Sequence, residues 1–144
     1  MVAKEGISVY QNVQYQTADP MKLIIMLYQK LDSELHRAKQ LLEEGDMLGK
    51  GEAIIRSQDI IVELINSLNL EAGEIAKNLQ GLYLFLFREL NVINLRKDVH
   101  SLEKVIRIVE NLKSAWEEIA GSAPRVHPRM ASQNQPVNTV YVQG

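Results

Sequence analysis

No proline occurs between Met21 and Ala123; the four prolines are Pro20, Pro124, Pro128 and Pro136. A proline ring removes a backbone donor and collides with the preceding turn, so helix interiors exclude it more strongly than any other residue. The long proline-free stretch therefore predicts long helices. Glycine divides it. Gly45, Gly49 and Gly51 cluster at one break, Gly73 marks a second, and Gly121 stands where a residue just past a helix commonly stands. The third break, Asn94 to Asp98, has basic residues to close one helix and Asp98 to cap the next. Four helices are expected, over Pro20 to Glu44, Leu48 to Asn69, Glu74 to Asn94 and Val99 to Ala120. Asp19 is the expected cap of the first, with Pro20 in its first position. The connections are short, which favours antiparallel neighbours. No stretch alternates with period two for long, so no sheet is expected. The fold class is all-α: an antiparallel up-down four-helix bundle over residues 17–120, with a short N-terminal helix or arm over 1–16 and a disordered tail over 121–144.

The faces of these helices are unequal at about 100° per residue. In the fourth helix Leu102, Val105, Val109, Leu112, Trp116 and Ile119 form one stripe, a plain core face with Trp116 as its anchor. The other three carry a surplus. Outside the stripe of Ile24, Leu27, Leu31, Leu35 and Leu42 lie Met21, Ile25 and Met26. Outside Ile54, Ile61, Leu64, Ile65 and Leu68 lie Ile55, Ile60 and Val62. Outside Ile75, Leu79, Leu82, Tyr83, Leu86, Leu90 and Ile93 lie Leu84, Phe85 and Val92. A bundle buries one broad stripe per helix. Either a wide core or the N-terminal arm absorbs the surplus, or the second faces form a groove for another chain. On the second view Met21, Ile25, Ile55, Val62, Leu84, Phe85 and Val92 line the groove, and Ile7 and Tyr10 of the arm cover it when it is empty. Tyr28 and Tyr83 lie on the flanks of the core stripes and are expected in the core.

Composition removes several function classes. The chain of 144 residues has no cysteine, hence no disulfide framework, thiolate metal site or thiol nucleophile. Its formal charge of −2 is not that of a basic nucleic-acid binder. Arg125, His127 and Arg129 make only a faint basic cluster in the tail. The longest apolar run, Leu82 to Phe87, is too short to cross a bilayer. Met1 to Gly6 has no apolar signal core behind it, so a cytoplasmic location is expected. None of His36, His100 and His127 follows a glutamate at the spacing of di-iron bundles. The serines have no paired histidine and acid, and Gly49-Lys50-Gly51 is not a phosphate loop. No enzyme, catalytic residue, cofactor or metal is expected.

Certain residues carry a family resemblance. Thr17 to Leu23 followed by Met26-Leu27-Tyr28 resembles the start of the first long helix of the flagellin-specific export chaperones, the FliS family. Gly45-Asp46 and Lys50-Gly51-Glu52-Ala53 resemble that family's next break. Gly73 to Ala76, Asn78-Leu79, Leu82-Tyr83 and Arg88 to Leu90 resemble its third helix. Asn94, Asp98, Ala115-Trp116-Glu117, Ile119 and the N-terminal Ile7 and Tyr10 also fit, in register over residues 7–120. The chain departs from the family at Gln29-Lys30, Ala72, Leu84-Phe85 and Arg88-Glu89, which makes the outer face of the third helix more apolar.

The resemblance implies an antiparallel bundle that holds the disordered C-terminal region of flagellin in the cytosol. Such a chaperone keeps flagellin from polymerising and helps deliver it to the flagellar export apparatus. The bound chain wraps the bundle in extended and helical pieces, and the N-terminal arm covers part of that surface in the free protein. The export gate, an anti-sigma factor or a co-chaperone are further partners open to such a protein; nucleic acid and membrane insertion are not expected. The rival expectation is a structural helical-bundle homodimer or adaptor with no flagellin client, and the oligomeric state stays open.

Overall fold

A computed structural model of the chain describes residues 19–122. The expectations for the arm and for the tail after Ser122 concern residues outside that range. The described residues form four long helices: α1 (Pro20–Glu44), α2 (Met47–Asn66), α3 (Glu74–Arg96) and α4 (Val99–Ser122). One 3-10 turn, Leu70–Ala72, precedes α3. There is no strand among the described residues. Consecutive helices run antiparallel. Around the bundle α1 packs on α2 and α4, α2 on α3, and α3 more loosely on α4.

The ends of the helices follow from local chemistry. Asp19 Oδ1 accepts the backbone N–H of Met21 at 3.0 Å, and Pro20 fills the first position, where its missing donor costs nothing. Gly45 closes α1 in the left-handed conformation (φ +82°) and donates to the carbonyls of Leu41 and Leu42. Asp46 at once caps α2 by accepting from the Gly49 N–H at 2.9 Å. A Cβ at Gly49 would lie 2.8 Å from Asp46 Oδ2, so a small residue suits this tight start. Gly49 and Gly51 thus belong to the first turns of α2, inside the helix expected from Leu48, and of the three glycines only Gly45 stands in the connection.

The second helix ends at Asn66, earlier than the expected Asn69. Ser67 Oγ turns back to donate to the Leu64 carbonyl at 2.7 Å, and Asn69 Oδ1 caps the 3-10 turn by accepting from Glu71 N–H at 3.1 Å. Both are short polar side chains that compete with the helical ladder. At the third break Lys97 takes the left-handed conformation (φ 57°) that closes α3. Asp98 then caps α4, accepting from the N–H groups of His100 (3.1 Å) and Ser101 (3.2 Å) and from the Ser101 hydroxyl (2.7 Å). These bonds to the ionised carboxylate hold Asp98 below the usual aspartate value. Gly121 lies inside the last turn of α4, not beyond it.

The core contains most of the expected stripes. Leu27, Leu31, Leu35, Ile54, Ile61, Leu64, Leu86, Leu90, Ile93, Leu102, Val105 and Val109 are buried, and Trp116 is buried at one end. Ile75 was expected in the stripe of α3 but is exposed, because it sits in the first turn, where the bundle is already opening. Ile106 is buried in addition to the expected stripe of α4. Tyr28 and Tyr83 are core residues, with their hydroxyls 2.6 Å apart.

Candidate functional site

The two long seams that flank the bundle are closed by different chemistry. Between α1 and α4 runs a ladder of charges. Asp32 meets Lys113 at 2.9 Å, His36 faces Glu110 at 3.3 Å, and Lys39 meets Glu103 at 3.2 Å. Hydrogen bonding to Asp32 raises the pKa of Lys113. Ligand atoms of Asp32, His36 and Glu110 converge within 4.8 Å of one another, the geometry of a conceivable metal site. The Lys113 ammonium already neutralises Asp32 there, so the trio reads as part of the ladder. Ladder and core together leave this side of the molecule sealed.

Between α2 and α3 the seam is tied from below. Lys50, only 3% exposed, donates to the Asn94 carbonyl at 2.9 Å and also to the Asn94 side-chain oxygen. Desolvation, and secondarily the nearby Lys97, lowers the Lys50 pKa. The Asn94 carbonyl is among the last of α3, which have no partner within the helix, so the lysine satisfies a group that would otherwise be orphaned. About two turns further along α2, Gln58 Nε2 donates to the Phe87 carbonyl (3.1 Å) and to Asn91 Oδ1 (2.8 Å). These bonds fix the rotation and register of α2 against α3.

Above the seam, apolar side chains face outward. Leu48, Ile55 and Val62 recur every seven residues and so form one row on the shoulder of α2 beside Gln58. They are 77, 55 and 39% exposed. Leu84 and Leu95 stand on the facing shoulder of α3, and Val92 and Phe85 crown its outward ridge. Leu84, Phe85 and Val92 are each about two-fifths exposed, and Leu95 more so. The hydrogen-bonded register sets Leu48 level with Leu95 and Val62 level with Leu84. The result is an apolar strip along the α2/α3 side with Arg88 and Asn91 exposed within it. Exposed apolar residues are ordinary singly; a contiguous strip of them marks an interaction surface.

The seven residues proposed from sequence as one groove therefore divide. Ile55, Val62 and Leu84 flank the α2/α3 seam, and Phe85 and Val92 stand farther round on the outward side of α3. Met21 and Ile25 are half-buried against the core, on the side of α1 that carries Asp32 and Lys39 toward α4. Two residues of the strip, Leu48 and Leu95, are absent from the sequence-derived groove, because Leu48 opens the expected second helix and Leu95 lies in the expected third break. The seven-residue spacing of Leu48 to Ile55 was the available signal for the first of them.

Two depressions lie apart from this strip. One, of about 430 Å³, lies on the opposite flank of α2, with Met26 and Ile60 beside Lys30, Asp59 and the Glu34–Arg56 pair (3.1 Å). The other, of about 470 Å³, opens at the end of the bundle where α1 and α3 begin and α2 and α4 finish. Met21, Ile24, Leu68, Ala72, Ala76, Tyr83 and Trp116 supply its apolar walls. Among the described residues no helix is long and apolar enough to cross a membrane.

Comparison with known proteins agrees with this architecture. The family model described as flagellar protein FliS matches residues 3–123. A flagellar secretion chaperone FliS of Salmonella typhimurium is 37% identical over 129 residues, covering 85% of this chain and 96% of that protein. One from Vibrio cholerae is 34% identical over 121 residues, covering 83% and 87%. One from Bacillus subtilis is 30% identical over 118 residues, covering 82% and 88%. With the match running through all four helices and every connection between them, the chain belongs to the flagellar protein FliS family.

Proposed function

We propose that this protein is a cytoplasmic flagellar secretion chaperone and that its client is the C-terminal region of flagellin, bound first along the α2/α3 face. The carrying observation is the strip of Leu48, Ile55, Val62, Leu84, Phe85, Val92 and Leu95, left exposed over a seam that polar bonds already hold together. The strip is not needed to close the bundle, so it is free to bury a foreign chain. A client that lacks structure of its own gains by coupled folding: apolar burial of about 25 cal/mol per Å² offsets the ordering of the bound segment. A segment held in this way is withheld from assembly with other flagellin molecules, and release at the export apparatus returns it to an exportable, unfolded form. Ile7 and Tyr10 of the arm cover the strip in the free protein. The work is binding and release, without a catalytic step.

The test is a pair of substitutions. Phe85→Asp with Val92→Asp places two charges on the ridge. The expected outcome is flagellin affinity reduced by about a hundredfold, the scale of lost central anchors, with thermal stability unchanged because both side chains are exposed. Full affinity in the double variant overturns the assignment. Flagellin truncated at its C-terminus, measured beside the full-length form, checks which part of the client binds. Solution mass separates this function from the rival homodimer, which would persist in the presence of a flagellin tail peptide.

A further inference from the structure

The pocket at the end of the bundle is a defect in the core that the sequence builds in. Ala76 faces inward in the first turn of α3, 1% exposed, at a position where the other turns of α3 place Tyr83, Leu86 or Leu90. Ala72 stands beside it. Two methyl groups where larger side chains belong leave about 470 Å³ at this end of the bundle, with the largely buried Tyr83 and Trp116 among its lining residues. That volume lies within the usual range of ligand sites, and apolar walls with a few polar groups at the rim (here Asp19, Ser67 and Asn69) are their usual lining.

The described chain begins at this pocket, where Asp19 is one of the lining residues, and ends at the same end of the bundle. There α4 finishes at Ser122, about 9 Å along the helix axis past Trp116. Residues 123–144 therefore follow from that point. Their composition is divided. Ala123 to Pro136 is polar and proline-containing, with Arg125 and Arg129 and no acid; Val137, Val140, Tyr141 and Val142 follow. The pocket end carries Asp19, Glu71, Glu74, Glu117 and Glu118 against Lys22 and Lys77, an excess of acid. From Ser122 to Val140 a flexible chain has a root-mean-square span of roughly 23 Å, ample for Val140 to Val142 to turn back into the pocket. A tethered segment of this length acts at an effective concentration of about a millimolar, so even weak apolar contacts would keep it docked.

We propose that residues Val140-Tyr141-Val142 of this chain's own C-terminal tail occupy the end pocket against Trp116, with Arg125 and Arg129 lying over the acidic rim. The tail is then a tethered plug, separate from the α2/α3 strip, and a partner that uses the pocket must first displace it.

Trp116 is the single tryptophan of the chain and reports on the pocket directly. In the full-length protein, Val140→Asp with Tyr141→Asp should shift Trp116 emission to the red. A synthetic peptide of residues 130–144 added to that variant should reverse the shift. The wild-type chain should need at least about tenfold more peptide, because its own tail competes. Filling the pocket with Ala72→Leu, or with Ala76→Leu if that variant folds, should abolish the peptide response. The proposal is overturned if the tail variant leaves Trp116 emission unchanged. It is equally overturned if the shift appears instead with Ile7→Asp and Tyr10→Asp, which would make the N-terminal arm the occupant.

Discussion

Tyr28 and Tyr83 show how single side chains hold this bundle. Each phenol is fully buried, and burial pushes the pKa of both up. The 2.6 Å bond between the hydroxyls, with the Tyr28 and Trp116 rings 6.4 Å apart, lets the core contain two phenols without orphaning a polar group. Tyr83→Phe should cost about 1–2 kcal/mol, since it strands a buried hydroxyl. Adding Tyr28→Phe should cost less than its single effect, a non-additivity that denaturant unfolding of the double-mutant cycle measures. Asp98 provides a pH test. Its folded pKa lies below 3.8, so the stability it contributes is full above that value and is lost as pH falls through the folded pKa. The stability difference between the wild-type chain and Asp98→Ala should therefore hold steady near neutrality and shrink in acid below pH 4. Sequence placed the tyrosines in the core and Asp98 at a cap, because ring size and capping chemistry are local properties. It gave no warning of Lys50 and Gln58, whose burial depends on carbonyls of α3 far away in the chain.

For the helices themselves, the absence of proline and the capping residues located all four elements to within a few residues. The largest error, the end of α2, arose where Ser67 and Asn69 redirect the backbone through their side chains and apolar periodicity carries on past them. The grouping of the outward residues was not legible in the same way. A periodic pattern says which side of a helix is apolar but not which neighbour stands there. Only the order of the bundle sends Met21 and Ile25 toward the charged α1/α4 seam and brings Leu84 beside Val62. This separates two kinds of variant. Leu48→Glu with Leu95→Glu, at one end of the strip, should weaken flagellin binding by about tenfold in calorimetry and leave thermal unfolding unchanged. Arg56→Ala, which removes an exposed pair with Glu34, should change stability by less than about 1 kcal/mol.

Taken whole, the molecule divides its surface between a side that is finished and a side that is not. The α1/α4 side is closed by its own charges, and the α2/α3 side is held by buried polar bonds beneath an apolar strip that nothing among the described residues covers. The absence of cysteine makes this asymmetry directly measurable, because a single introduced thiol is the only one in the chain. Ile55→Cys and Leu84→Cys, each carrying a photo-crosslinker, should capture flagellin, whereas the same label at Lys39→Cys or Glu103→Cys should not. Crosslinks confined to the α1/α4 positions, with none from Ile55 or Leu84, would contradict the account.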